Sequence, residues 1–165
     1  GSELPVLNLR LKRRLEERIQ SNTNKEEVVC SEVFAFVREV LLYDGSAIEK
    51  IATEKKNQPV EIDEFIRKGI GVCRHQGVLA AYLIGNLIKE GYIGGKISVD
   101  RNYIPDKGGH GWARYTDSNG EVMIIDAAQK FVGRMTQPPQ TGWSYERSKD
   151  AKIRTEAVSS QEVNL

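Results

Sequence analysis

Three side chains in this 165-residue sequence have the types and positions that nucleophilic chemistry needs. Cys73 lies where a loop containing Gly69 and Gly71 runs into an apolar helical segment, His110 opens a strand after Gly108-Gly109, and Asp126 closes an apolar strand. A thiolate at a helix N-terminus is stabilised by backbone N–H groups without intrahelical partners, and activated thiols of this kind have pKa values of about 3.5–7.5. Such a thiolate attacks carbonyl carbon. An imidazole within hydrogen-bond reach takes the thiol proton and returns it to the leaving amine, and a carboxylate on the other ring nitrogen fixes the tautomer. Cys73, His110 and Asp126 are therefore the candidate catalytic residues of a Cys-His-Asp triad, which requires no metal and no organic cofactor.

The elements around them decide whether they meet. The run VLAAYLIGNLIKEG is apolar on most sides, with Val78, Ala81, Tyr82, Leu83 and Leu87 available for burial, and predicts a central helix over 73–90 ended by Gly91. Gly85 inside it points to a closely packed neighbour. After Gly94-Gly95 the period changes to two: Ile97 and Val99, then Trp112, Arg114 and Tyr115, then Glu121 to Asp126 read as three strands. Asp117-Ser118-Asn119-Gly120 supplies turn chemistry, making 110–126 an antiparallel hairpin. With the pivot near 118–119, His110 and Asp126 fall nearly opposite each other, in a register that can slip.

Ahead of this unit the sequence is helical. Leu7, Leu11, Leu15 and Ile19 recur every fourth residue among Arg10, Lys12, Arg13, Arg14 and Arg18, predicting an amphipathic helix from about 8 to 20 with a basic, solvated face. Asn24 with Glu27 forms a capping signature for a helix over about 25–42, and Ser46 with Glu49 repeats it for one over about 47–56. Ile62, Phe65 and Ile66 give one or two more turns. Residues 1–7, headed by a Gly1-Ser2 that reads as a cloning scar, form an N-terminal extension; 8–147 form a single domain, with Pro138-Pro139 and Gly142 beyond Gly133; and 148–165 form a polar tail expected to be loosely structured.

Composition narrows the function classes. The 24 basic and 23 acidic side chains leave a net charge of +1, which disfavours nucleic acid and membrane surfaces as partners. No apolar run reaches the length of a spanning helix, so membrane insertion is not expected, and no secretory pattern is recognisable. With two cysteines, Cys30 and Cys73, the chain is not a disulfide scaffold and, unless these two pair with each other, fits the cytoplasm or another reducing compartment. Oligomeric state is not legible in the sequence.

Gly71-Val72-Cys73-Arg74-His75, then Gly109-His110-Gly111-Trp112, then Ile124-Ile125-Asp126-Ala127 resemble the transglutaminase-like branch of the papain-like cysteine enzymes. The resemblance covers roughly 60–132. It implies an α+β papain-like core, with N-terminal helices packed on a small antiparallel sheet and the catalytic cysteine at the N-terminus of the central helix. It also implies thiol-dependent hydrolysis or acyl transfer on an amide of a protein or peptide substrate, as in a peptidase, glutamine deamidase or transglutaminase. Two positions depart from the family pattern: Arg74 stands where an aromatic residue usually follows the cysteine, and Ala127 where a proline commonly follows the aspartate. The departures leave the substrate subclass open.

In that family the oxyanion is met by the cysteine's own N–H and an upstream donor, for which Gln58 and Tyr43 are the candidates. Trp112 has two readings, as a sheet-packing residue and as a wall of the substrate cleft. A zinc site from Cys73, His75 and His110 is disfavoured because Cys73 and His75 point to opposite sides of one helix. His75 then supports the site from behind or lies at the surface, and Cys30 reads as a small core hydrophobe. The rival from another class is a catalytically silent module of the same fold that binds a partner through its basic first helix and polar tail.

Overall fold

Leu7, Leu11 and Leu15 are buried along one side of α1 (Glu3–Arg18) in the computed structural model, which describes residues 2–19, 24–137 and 142–150. The four-residue spacing sets this face, and burying a leucine fully contributes about 1.5–3 kcal/mol. The helix begins at Glu3 rather than near 8, so Leu7 belongs to the core and not to an extension. Its polar side is occupied rather than simply solvated. Glu32 on α2 (Lys25–Val40) is buried and takes Arg14 Nε at 2.6 Å on one oxygen and Arg18 on the other, while Arg10 and Arg14 lie over the Phe36 ring.

The cap of α2 is as expected: Asn24 Oδ1 accepts the Glu27 N–H at 3.2 Å. For α3 (Gly45–Glu54) the cap is Asp44 instead of Ser46, with Oδ1 accepting from Ala47 N–H and Ser46 Oγ, each at 3.0 Å. Between these helices lies β1 (Leu42–Tyr43), which pairs in parallel with β2 (Ile70–Gly71) after α4 (Ile62–Lys68). The pair is too short to show any period in the sequence, and it was not anticipated.

α5 (Cys73–Lys89) crosses the middle of the domain, burying Leu79, Ala80, Leu83, Ile84 and Leu87. Val78 is instead exposed, on the side facing the open cleft described below. The approach to the sheet is closest at Gly77, where an added Cβ would touch the Trp112 main chain at 3.5 Å; at Gly85 it would meet Ile97 in ordinary contact at 3.6 Å.

Four antiparallel strands follow in sequential order: β3 (Lys96–Ile104), β4 (Gly108–Thr116), β5 (Val122–Asp126) and β6 (Phe131–Arg134). The chain is thus mixed α+β with a small antiparallel sheet. Alternation along β4 and β5 builds two cores. Ala113, Tyr115, Met123 and Ile125 join the helices, whereas Trp112 and Ile124 face the other way and pack with Trp143 and Tyr145. The segment beyond Gly133 thus packs, through Trp143 and Tyr145, on the outer face of the sheet. Arg114 fixes it further by holding both oxygens of Asp150, at 2.8 and 2.9 Å. Pro138, Pro139 and the tail from 151 onward lie outside the described residues. Among the described residues, no helix is long and apolar enough to cross a membrane.

Candidate active site

The backbone leading into Cys73 is held on both sides before the helix begins. Leu42 N–H donates to Gly69 O at 2.9 Å and Asp44 N–H to Gly71 O at 3.0 Å, so the β1–β2 pair fixes the approach to the helix tip. His75 reaches back to accept the Val72 N–H on Nδ1 at 3.1 Å, and the buried Gln76 donates from Nε2 to Leu41 O at 2.9 Å. With Val72 extended and Cys73 as the first helical residue, the thiol projects from the end of α5. That end is a region of positive potential, because the first N–H groups of a helix have no intrahelical acceptors.

His75 is consequently a capping side chain. Its ring lies 4.1 Å from that of Phe65, and burial, followed by the nearby Arg74 charge, pushes its pKa down to about 4, which leaves it neutral. Among the described residues, no group of three or more His, Cys, Asp or Glu side chains is placed to hold a metal ion.

Across from the helix tip, β4 delivers His110, buried, with Nε2 2.5 Å from Asp126 Oδ2. This leaves Nδ1 for the thiol, and Cys73 and His110 line the same cleft, close enough for each to shift the pKa of the other. The hydrogen bond from His110 is the largest influence lowering the Cys73 pKa; burial opposes it, and the backbone N–H groups of Gly111 and Arg74 support it. For His110, burial alone would lower the pKa, but the hydrogen bonds to Asp126 and Cys73 and their charges outweigh it and raise it to about 9. The two shifts favour the same state, a thiolate beside an imidazolium.

Asp126 is itself fully engaged. Oδ2 also accepts from Tyr145 Oη at 2.8 Å and Oδ1 accepts the Gln129 N–H at 3.1 Å. Trp143 packs against the imidazole, with ring centres 4.7 Å apart, and the Trp112 ring lies 5.8 Å from it. Tyr145 and Trp143 were not identified from the sequence; their signal was two aromatics in an otherwise polar segment. Cys30, by contrast, is buried in the core, where desolvation drives its pKa up to about 12.

The structure thus brings Cys73, His110 and Asp126 together. The proposed oxyanion donors do not line the cleft that holds Cys73 and His110: Tyr43 is exposed on β1, and Gln58 lines a neighbouring depression with Pro59, Phe65, His75 and Arg74, the last of which also lines the cleft. Trp112 is buried in the second core and is not a wall of the cleft. That cleft, about 700 Å³, opens onto Cys73 and His110 between Arg74 and Val78 of α5 and Val99, Arg101 and Tyr103 of β3. No protein-family model, no curated protein and no solved structure matches this chain.

Proposed function

We propose that the protein is a cysteine-dependent amide hydrolase or acyltransferase, built on a papain-like core of the transglutaminase-like kind, acting on a protein or peptide. The observation that carries this reading is the placement of the Cys73 thiol, at the tip of α5, in one cleft with His110, whose imidazole is hydrogen-bonded to the buried Asp126.

In the first step Cys73 Sγ attacks the amide carbonyl carbon, and the oxyanion is met by backbone N–H groups at the helix tip. The C–N bond then breaks as the His110 imidazolium protonates the departing amine, leaving a thioester on Cys73. In the second step His110 removes a proton from the acceptor, whose attack breaks the C–S bond and restores the thiolate. Water as acceptor gives peptidase or glutamine deamidase activity. A primary amine gives a transglutaminase. Throughout, Asp126 keeps the imidazole oriented and stabilises its charged form.

The silent-module reading finds less support. Arg14 and Arg18 of the basic helix are paired with Glu32, and Lys12 with Glu90, so much of the charge assigned to a partner is neutralised within the chain.

The reading is tested by incubating the protein with a glutamine-rich protein substrate, with and without a primary amine, and reading the products by mass. Chain cleavage, a gain of about 1 Da per glutamine, or incorporation of the amine supports it and names the acceptor. No product across a broad panel of proteins and peptides would favour the binding module.

A further inference from the structure

The cleft before Cys73 has two walls and a floor, and each has a distinct chemistry. Arg74 and Val78 are four residues apart on α5 and share one face of the helix. Val99, Arg101 and Tyr103 alternate along β3 and share one face of the strand. Between the walls lies β4, where Gly111 stands opposite Arg101 and Gly109 opposite Tyr103. A Cβ built at Gly109 would meet nothing within 4 Å, so the floor is open backbone with room above it.

Each wall therefore contributes one guanidinium and exposed apolar surface, since Val78, Val99 and Tyr103 are respectively 46%, 44% and 70% exposed. Among the described residues, no aspartate or glutamate lines the cleft. Asp100, next to Arg101, is held on the other side of the strand by Arg147 and Ser98. Whereas Arg14, Arg18, Arg114, Arg134 and Arg147 each have a carboxylate partner, Arg74 and Arg101 have none among the described residues. A thiolate and an imidazolium cancel, so the two arginines leave the cleft cationic.

We propose that this cleft binds an acidic peptide, with a carboxylate close to the reacting amide held between Arg74 and Arg101 and an apolar side chain laid against Val78, Val99 and Tyr103. The assignment of that peptide as acyl donor rests on the function proposed above; its binding does not. An aromatic residue after the cysteine would offer only apolar surface here, so Arg74 marks the specificity of this chain. Guanidinium groups suit the role because they pair with carboxylates through two parallel hydrogen bonds.

Two measurements test the inference separately from the chemistry. The first compares Cys73 alkylation by iodoacetate and iodoacetamide, reagents that differ in charge. The ratio of the iodoacetate to the iodoacetamide rate is expected to fall about tenfold in Arg74→Gln and in Arg101→Gln, the effect of one nearby charge in a partly solvated cleft; an unchanged ratio in both variants overturns the anion site. The second uses Cys73→Ala and fluorescence anisotropy of a labelled Gly-Leu-Glu-Gln-Leu-Gly peptide against its counterpart with glutamine in place of glutamate. The acidic peptide is expected to bind about tenfold tighter, with the difference lost in the Arg74→Gln/Arg101→Gln double variant and at about 0.5 M salt. Equal binding of the two peptides, or binding of neither, contradicts the proposal even if Cys73 is reactive. A discriminating cleft with an inert thiol would uphold it while removing the enzyme.

Discussion

His110 and Asp126 meet on a diagonal of the β4–β5 ladder and not across it. Ala113 faces Ile125, which puts Asp126 level with Trp112, two residues from His110 along the strand, yet Nε2 and Oδ2 are 2.5 Å apart. Positions 110 and 112 share a face, so the imidazole leans along the strand to reach the carboxylate. Trp143 lies against the imidazole and Tyr145 donates to the carboxylate, which keeps the short bond away from water.

Replacing Asp126 by Asn preserves volume but offers His110 a donor where an acceptor is needed. Turnover is expected to fall about 10–10³-fold, less than the roughly 10⁴-fold of the serine-protease template because a thiol whose pKa is lowered needs less help from the base. Melting temperature should change little. Full turnover in Asp126→Asn would show that another group orients His110.

Tyr145→Phe removes the second hydrogen bond to Asp126 Oδ2 and leaves the ring's packing on Trp112 and Phe131 in place. A loss of about 3–30-fold in kcat with KM nearly constant is expected, in line with one hydrogen bond to a charged group. The alkaline limb of the pH profile should move down, because a less firmly held carboxylate supports the imidazolium less well. A change confined to thermal stability would reduce Tyr145 to a packing residue.

The pH dependence of kcat/KM follows from the direction of the two shifts. Activity should rise as Cys73 ionises, at a pH below the ordinary thiol value of 9.0, and fall as His110 loses its proton near 9. The maximum therefore lies on the acid side of pH 9. A rate that kept climbing through pH 9 would mean that the imidazolium is not needed as the acid.

Away from the cleft, Glu32→Gln leaves Arg14 and Arg18 without their shared buried carboxylate. A loss of about 1–3 kcal/mol is expected by urea unfolding, discounted because both guanidiniums are partly in water. The rate of Cys73 alkylation should be unaffected. If Glu32→Gln were neutral, the α1–α2 contact would rest on its leucines and Phe36 alone.

The sequence made the site more legible than its surroundings. A cap such as Asn24 and a helix start such as Cys73 are local events, set by a few neighbouring residues, and the structure has them where the residues predict. The hairpin was legible except for its exact register, with the pivot at the upper end of the expected 118–119. Asp117 N–H bonds Glu121 O and Gly120 adopts φ 85°, so the loop is centred on Asn119 and the register moves by two, which keeps every side chain on its expected face. What was not legible depends on distant chain. Two-residue strands have no period to read, and the burial of Trp143 and Tyr145 becomes apparent only when the outer face of the sheet is in place. Val78 was expected in the core for its apolarity, but its angular position on α5 puts it in the cleft.

The central claim is that the fold activates Cys73 and leaves Cys30 inert. It is tested most directly by treating the native protein with iodoacetamide at neutral pH and following each cysteine by peptide mass mapping. Cys73, with its pKa lowered by His110, should be labelled at least about 100-fold faster than Cys30, whose thiol is buried and driven up to about 12, and unfolding in urea should abolish the difference. Equal rates in the native protein would contradict the account.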